Sequence, residues 1–245
     1  MRYDILTIRT AEHSDGSLYP VLGDENFPIE LEPQDSTNIQ RIVSTALTVS
    51  EHRDGSWPEV SHVKDVRADL IITDARLAVA CSRYDKGGGW YGVGTGALVA
   101  VGINAVSKSM ASHRRKGKLL VGHIRYPWLV NIGAAAKTGF TSTEALRLTV
   151  VSNVNGTSRM LNLTCNLPND VKAAAVAQDI TRRAARYRLS HAKINSDEER
   201  SQFEALASAG PLKTEPKKFV FYNMPSYFFV SPATAYPAAT AEEGS

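Results

Sequence analysis

The residues with the most chemical potential fall into four groups, and none of them completes a catalytic pattern. The first is the run KGGGWYGVGTG over residues 86–96, where Gly87, Gly88, Gly89, Gly92, Gly94 and Gly96 surround Trp90 and Tyr91. Backbone N–H groups of such a loop at a helix N-terminus can hold a phosphate. A Walker loop must end in Gly-Lys-Ser/Thr, which is missing here, and a dinucleotide fingerprint needs parallel-sheet context. The flanking strands read as antiparallel, so a closely packed or flexible glycine loop is expected. The second group is His113-Arg114-Arg115-Lys116-Gly117-Lys118. It ends a stretch, residues 97–110, that is small or apolar all round the helical wheel. A helix of that kind lies in a core, at an interface or in lipid. Beside anionic headgroups, Arg114, Arg115, Lys116 and Lys118 would each contribute about 1 kcal/mol. The simpler alternative is a buried helix with a solvated basic end; Leu98 and Val101 would then pack against a neighbour, with Gly92, Gly96 and Gly102 allowing close approach between copies.

Arg182, Arg183, Arg186 and Arg188 form the third group. They could contact phosphate, but a solvated outer helix face with its last residues set against the helix dipole is the expected arrangement. The fourth group is the six histidines, His13, His52, His62, His113, His123 and His191, none with the i, i+4 partner of a helical metal site. No G-x-S-x-G elbow occurs and no spacing selects a triad. Cys81 and Cys165 each sit in an alternating apolar run and are expected to be buried, reduced thiols. The reading therefore expects no catalytic residues, no metal and no cofactor.

Composition sets wider bounds. The chain has 245 residues with 43% hydrophobic and 22% charged side chains, which suits an ordinary globular protein. A net charge of +3 does not by itself suggest nucleic acid, which is not an expected partner. The start, MRYDILTIRT, lacks the pattern of a secretory signal. No run reaches the roughly 20 apolar residues of a membrane span. A cytoplasmic location follows as the expectation, with peripheral membrane attachment through the basic cluster as its extension.

The elements that must carry these groups follow from periodicity. Residues 68–81, ADLIITDARLAVAC, alternate as two short strands about a turn at Thr73-Asp74-Ala75-Arg76. A strand is expected near Tyr3 to Ile8. A short amphipathic helix is expected to run to about Ser50, because Ile39, Ile42, Val43 and Leu47 recur at helical spacing after Ser36-Thr37-Asn38. Pro127 divides residues 119–133 into two apolar runs and implies an edge or a bend. A second hairpin pairs Ala145 to Val151 with Arg159 to Cys165 across an Asn155-Gly156 turn. An amphipathic helix then runs to about Leu189, with Ala173, Val176, Ala177, Ile180, Ala184 and Tyr187 on one stripe. Residues 197–207 suit a short acidic helix, and 210–218 a linker. The end gathers Phe219, Phe221, Tyr222, Tyr227, Phe228 and Phe229. Such a tail is expected to dock back on the barrel or on the N-terminal strand, as a strand added to a sheet edge does, or else to bind a partner.

Strands, a hairpin and then one amphipathic helix after the last strand form the order of a pleckstrin-homology-like barrel. Ile71-Ile72-Thr73-Asp74-Ala75-Arg76-Leu77 resembles the LTxxRL phrase that the GRAM and bacterial PH-like families carry on an early hairpin. Residues 122–129, GHIRYPWL, stand where such domains place a strand near mid-barrel. The resemblance implies an α+β fold, an antiparallel PH-like β-barrel capped by a C-terminal amphipathic helix. It implies a PH-like domain over residues 59–190 with an inserted segment at 86–118, an N-terminal extension over 1–58 holding a strand and a short helix, and a linker with an aromatic tail over 191–245. The implied function is a non-enzymatic adaptor that binds a membrane surface, a lipid headgroup or a protein. Arg114, Arg115, Lys116 and Lys118 are the expected anion contacts. Trp90, Tyr91, Leu98, Val101, Phe219, Phe221, Tyr227 and Phe229 are the expected interface residues. The alternative is a self-assembling structural protein that uses the glycine-rich helix and the aromatic tail as homo-oligomer surfaces.

Overall fold

The computed structural model describes residues 6–10, 29, 31–35, 38–60, 64–81, 118–139, 143–154, 157–191 and 194–228. Among them, nine strands form one antiparallel sheet: β1 Leu6–Thr10, β2 Gln40–Glu51, β3 Val66–Ile72, β4 Arg76–Cys81, β5 Lys118–Arg125, β6 Leu129–Ala135, β7 Ala145–Val154, β8 Thr157–Asn166 and β9 Val220–Asn223. Helices α1, Ala173–His191, and α2, Asp197–Ala207, follow β8. The strand order is β1-β5-β4-β3-β2-β8-β7-β6-β9, so the fold is α+β. The outer strands β1 and β9 do not pair with each other. The described sheet is therefore open, where the sequence led us to expect a closed barrel.

Alternation decides which side chains meet. In the β3-β4 hairpin Leu70 lies opposite Val79 and Ile72 opposite Leu77, all on one face, while Ile71 and Ala78 meet on the other. The β7-β8 hairpin pairs Leu146 with Cys165, Leu148 with Leu163 and Val150 with Leu161. These residues, the first face of the β3-β4 hairpin and the expected stripe of α1 join in one continuous core. Both helices thus lie on a single face of the sheet. On the reverse face of β3-β4-β5 a smaller cluster, Ile71, Ala78, Ala80 and Val121, packs with Ile29 from the N-terminal segment. The hairpin is buried on both sides. Pro127 makes its bend within a 3-10 turn, Tyr126–Trp128, between β5 and β6. Helix α2 starts where Ser196 accepts from the Glu199 backbone N–H at 3.1 Å, while Glu199 accepts from the Asn195 N–H at 2.8 Å. The pattern resembles a capping box, except that Glu199 reaches the residue before the cap, and Asp197, Glu198 and Glu199 also suit the positive end of the dipole.

The helix expected near residues 39–50 is a strand. Residues 40–51 form the twelve-residue β2, bonded to β3 on one side and β8 on the other. A bulge explains the misleading spacing. The β2-β3 register shifts between Ile42 and Thr45, and Ser44 takes a positive φ of 59°. One extra residue there puts Ile42, Thr45, Leu47 and Val49 on the inner face, so a period of two is broken once and resembles helical spacing. The five β-branched residues Ile42, Val43, Thr45, Thr48 and Val49 favour the strand.

The aromatic tail docks as an edge strand. β9 pairs antiparallel with β6, placing Phe221 opposite Gly133 and Asn223 opposite Asn131. A Cβ at Gly133 would stand 2.3 Å from the Phe221 ring, so the ring lies where only glycine leaves room. Gly133→Ala should therefore cost about 1–3 kcal/mol in urea unfolding. The double variant Gly133→Ala/Phe221→Ala should be less destabilised than the two single costs added together. Strict additivity would show that the ring does not rest on this glycine.

Candidate ligand-facing surface

The sheet's reverse face has two halves with opposite electrostatics. Behind β3-β4-β5 the charges are closed off. Arg76 and Arg125 are directly opposite in the β4-β5 register, and both are almost completely buried. Two guanidinium groups so placed require counter-charge. Asp35 and Glu32 supply it from the segment before β2. The Arg76 Nη2 donates to Asp35 Oδ2 at 2.7 Å and its Nη1 to Glu32 Oε1 at 2.6 Å. Arg125 grips the same Glu32 in fork geometry at 2.6 and 2.7 Å. Thr73 adds a hydroxyl donor to Asp35 at 2.8 Å and accepts from the Ala75 and Arg76 N–H groups, which closes the hairpin turn. Tyr126 donates to the Thr73 carbonyl. Complete burial pushes its phenol well above the ordinary tyrosine range. His123, also on β5, is fully buried with its ring edge-on to Trp128 at 5.5 Å.

The arginines of α1 depart from expectation. Arg186 is exposed, but Arg183 and Arg188 are buried. Arg183 bonds Asp179 at 2.8 Å, Asp74 at 2.7 Å and the Asn38 carbonyl at 2.6 Å, so it ties the helix to the β3-β4 turn. Arg188 lies between the rings of Phe203 and Phe228, at 5.1 and 4.7 Å from their centroids. Its Nη2 donates to Ser226 Oγ at 2.6 Å and to Glu199 Oε1 at 3.2 Å, and Ser226 in turn donates to Glu199. The Ser226 hydroxyl, then the Asn195 N–H, hold the Glu199 carboxyl below the ordinary range. Burial lowers the Arg188 guanidinium. The Cys165 thiol sits in the core and burial pushes it up to about 12, the inert state expected of it.

The other half of the reverse face, behind β2-β8-β7-β6-β9, is polar. The register builds two rows across five strands. One runs Thr48, Thr164, Arg147, Gly133, Phe221; the other runs Ser50, Asn162, Thr149, Asn131, Asn223. Neither row holds an acid. Asp65 stands at the β2 end, where its Oδ1 accepts from Thr48 at 3.3 Å, two strands away from Arg147. Thr149 donates to Asn162 at 2.7 Å. Arg147 is half-buried, and its Nε lies 3.3 Å from Thr164 Oγ1. Its guanidinium stacks 3.9 Å over the Phe219 ring, which itself stacks on Phe221 at 6.0 Å. Desolvation lowers the Arg147 guanidinium.

The expected contact residues divide accordingly. Phe219 and Phe221 come together on this face; Tyr227 is 40% exposed near Phe228, at the Arg188 end. Arg114, Arg115, Lys116, Trp90, Tyr91, Leu98, Val101 and Phe229 lie outside the described residues, as does the glycine run. Lys118 is described only as the backbone that begins β5. Arg147 escaped the sequence reading because it alternates with apolar neighbours like any outward strand residue, and its partners Thr164 and Phe219 come from elsewhere in the chain. Among the described residues no three His, Cys, Asp or Glu side chains are placed to hold a metal ion, and no helix is long and apolar enough to cross a membrane. No family model matches the chain, and neither a curated protein nor a solved structure matches it.

Asp35→Ala would leave Arg76 buried without its main counter-charge and should cost about 3–5 kcal/mol in denaturant unfolding; a loss under about 1 kcal/mol would show that the pair is not the clamp. Glu199 sets an acid limb. A carboxyl whose folded pKa lies below its unfolded value adds stability above the unfolded pKa and loses it as pH falls through the folded one. Ser226→Ala removes the largest cause of that depression. The variant should be less stable than the wild type at neutral pH, with a shallower acid limb, so that the difference in melting temperature shrinks as pH falls through the carboxylate range. An unmoved acid limb would refute the assignment.

Proposed function

We propose that this chain is a non-enzymatic adaptor on a PH-like scaffold that binds a partner surface, either a protein or an anionic membrane. The scaffold reading is supported by seven consecutive strands, β2 to β8, arranged β5-β4-β3-β2-β8-β7-β6 and followed directly by an amphipathic helix packed on the sheet. This is the strand-then-helix order that the sequence resemblance implies. The observation that carries the binding reading is the contrast between the two halves of the reverse face. One half is neutralised by Glu32 and Asp35 and covered by Ile29. The other presents rows of Thr, Ser and Asn with a cation and two stacked aromatics, and both helices lie on the opposite side. Hydroxyl and amide side chains in register offer a partner many hydrogen bonds and little apolar area, as in the adaptable parts of protein interfaces.

The membrane form of the proposal rests on Arg114, Arg115, Lys116 and Lys118, adjacent in sequence to an apolar stretch. Sedimentation with vesicles separates the two forms. Wild-type protein should sediment with phosphatidylserine-containing vesicles at low salt and be released at high salt. Replacing the four cations by glutamine should weaken vesicle binding by about a hundredfold or more. Protein that stays in the supernatant at low salt eliminates the membrane form. Equal sedimentation with neutral vesicles eliminates its electrostatic basis.

A further inference from the structure

We propose that Arg147 and Phe219 form a receptor for a single carboxylate, and that the partner bound on the polar face is an acidic peptide segment. This rests on the adaptor reading and names the class of partner. The buried arginines have their carboxylates within the chain: Arg76 holds Asp35 and shares Glu32 with Arg125, Arg183 has Asp74 and Asp179, and Arg188 has Glu199. Arg147 is half-buried and has no carboxylate among the described residues. Its plane is fixed by the ring 3.9 Å beneath it, and its Nε is turned to Thr164 at 3.3 Å. Among the described residues nothing bonds the two terminal nitrogens, which suits them to a planar oxyanion, the pairing in which a guanidinium exceeds a lysine ammonium.

The surroundings favour a peptide over a lipid bilayer or a nucleic acid. Polyanionic surfaces are held by several cations at once, whereas the two described rows contain one. What flanks the arginine is hydroxyl and amide chemistry. Asn131, one strand away in the adjacent row, is only half-buried as a residue, and its inward Oδ1 has no hydrogen-bond partner, so a turn of the amide toward the face would give it a backbone N–H of a bound segment. A carboxylate for Arg147 and an N–H for Asn131 are both supplied by one peptide segment.

The test measures binding of a short fluorescent peptide of alternating Glu and Ala to the full chain by anisotropy. Wild type should bind saturably, and the same peptide with Gln for Glu should not. Arg147→Gln should weaken binding by about tenfold or more. Arg147→Lys should recover only part of that loss, because it restores charge without the planar fork. Phe219→Ala should weaken binding less than Arg147→Gln, and Arg186→Gln, an exposed arginine on α1, should leave it unchanged. Melting temperatures of the variants establish that each is folded, and Arg147→Lys serves if Arg147→Gln is not. The proposal is overturned if the wild type does not bind the peptide, if Arg147→Gln binds as well as wild type, or if Arg186→Gln loses as much. Binding to phosphatidylserine vesicles without binding to the peptide would keep the adaptor reading and discard the acidic-peptide assignment. Absence of both would discard the two together.

Discussion

Arg76 and Arg125 stand side by side across two paired strands, out of contact with water. Much of the architecture answers that placement. Positive charge in a low-dielectric interior is tolerated only with close counter-charge and satisfied donors. The two carboxylates come from residues 32 and 35, so the chain before β2 must return to the back of the β3-β4 hairpin. In doing so it brings Ile29 onto Ile71, Ala78 and Val121 and makes the second cluster. Thr73 joins that network to the hairpin turn, and Tyr126 joins the turn to the bend before β6. One charge requirement thus links the N-terminal segment, the central hairpin and the crossover into the other half of the sheet.

The C-terminal region is held by a second arginine in another way. Arg188 uses aromatic faces as well as a carboxylate, and through Ser226 it fixes the segment after β9 against α1 and α2. The polar face depends on this attachment, since Phe219 and Phe221 reach the sheet only when β9 lies on β6. Gly133 is the complementary requirement on the receiving strand: any side chain there would occupy the place of the Phe221 ring.

The elements legible in the sequence were those with uninterrupted periodicity. The two hairpins, the stripe of α1, the acidic α2 and the bend at Pro127 all follow from local pattern. β2 was illegible because a single bulged residue near Ser44 breaks the period of two, and local spacing cannot separate that from a helix. The arginines of α1 were misread for a different reason. Apart from Asp179 on the same helix, their counter-ions come from elsewhere in the chain, Asp74 lying 109 residues from Arg183, and charge on a helical wheel does not reveal a distant partner. The polar face was half legible: its outward Thr and Asn residues are visible as strand alternation. Its aromatic component joins only through the pairing of β6 with β9, which no local pattern contains.

The pairing of Arg147 with Phe219 also has a temporal consequence. The two residues are 72 positions apart in the chain. During synthesis the strand bearing Arg147 can enter the sheet well before residues 219–223 emerge, and α1 and α2 are made in between. Until then the guanidinium has no ring to fix its plane, and the edge of β6 is open. The face takes its final form when the last strand closes that edge, so any binding that uses both residues must wait until the chain has been made at least as far as β9.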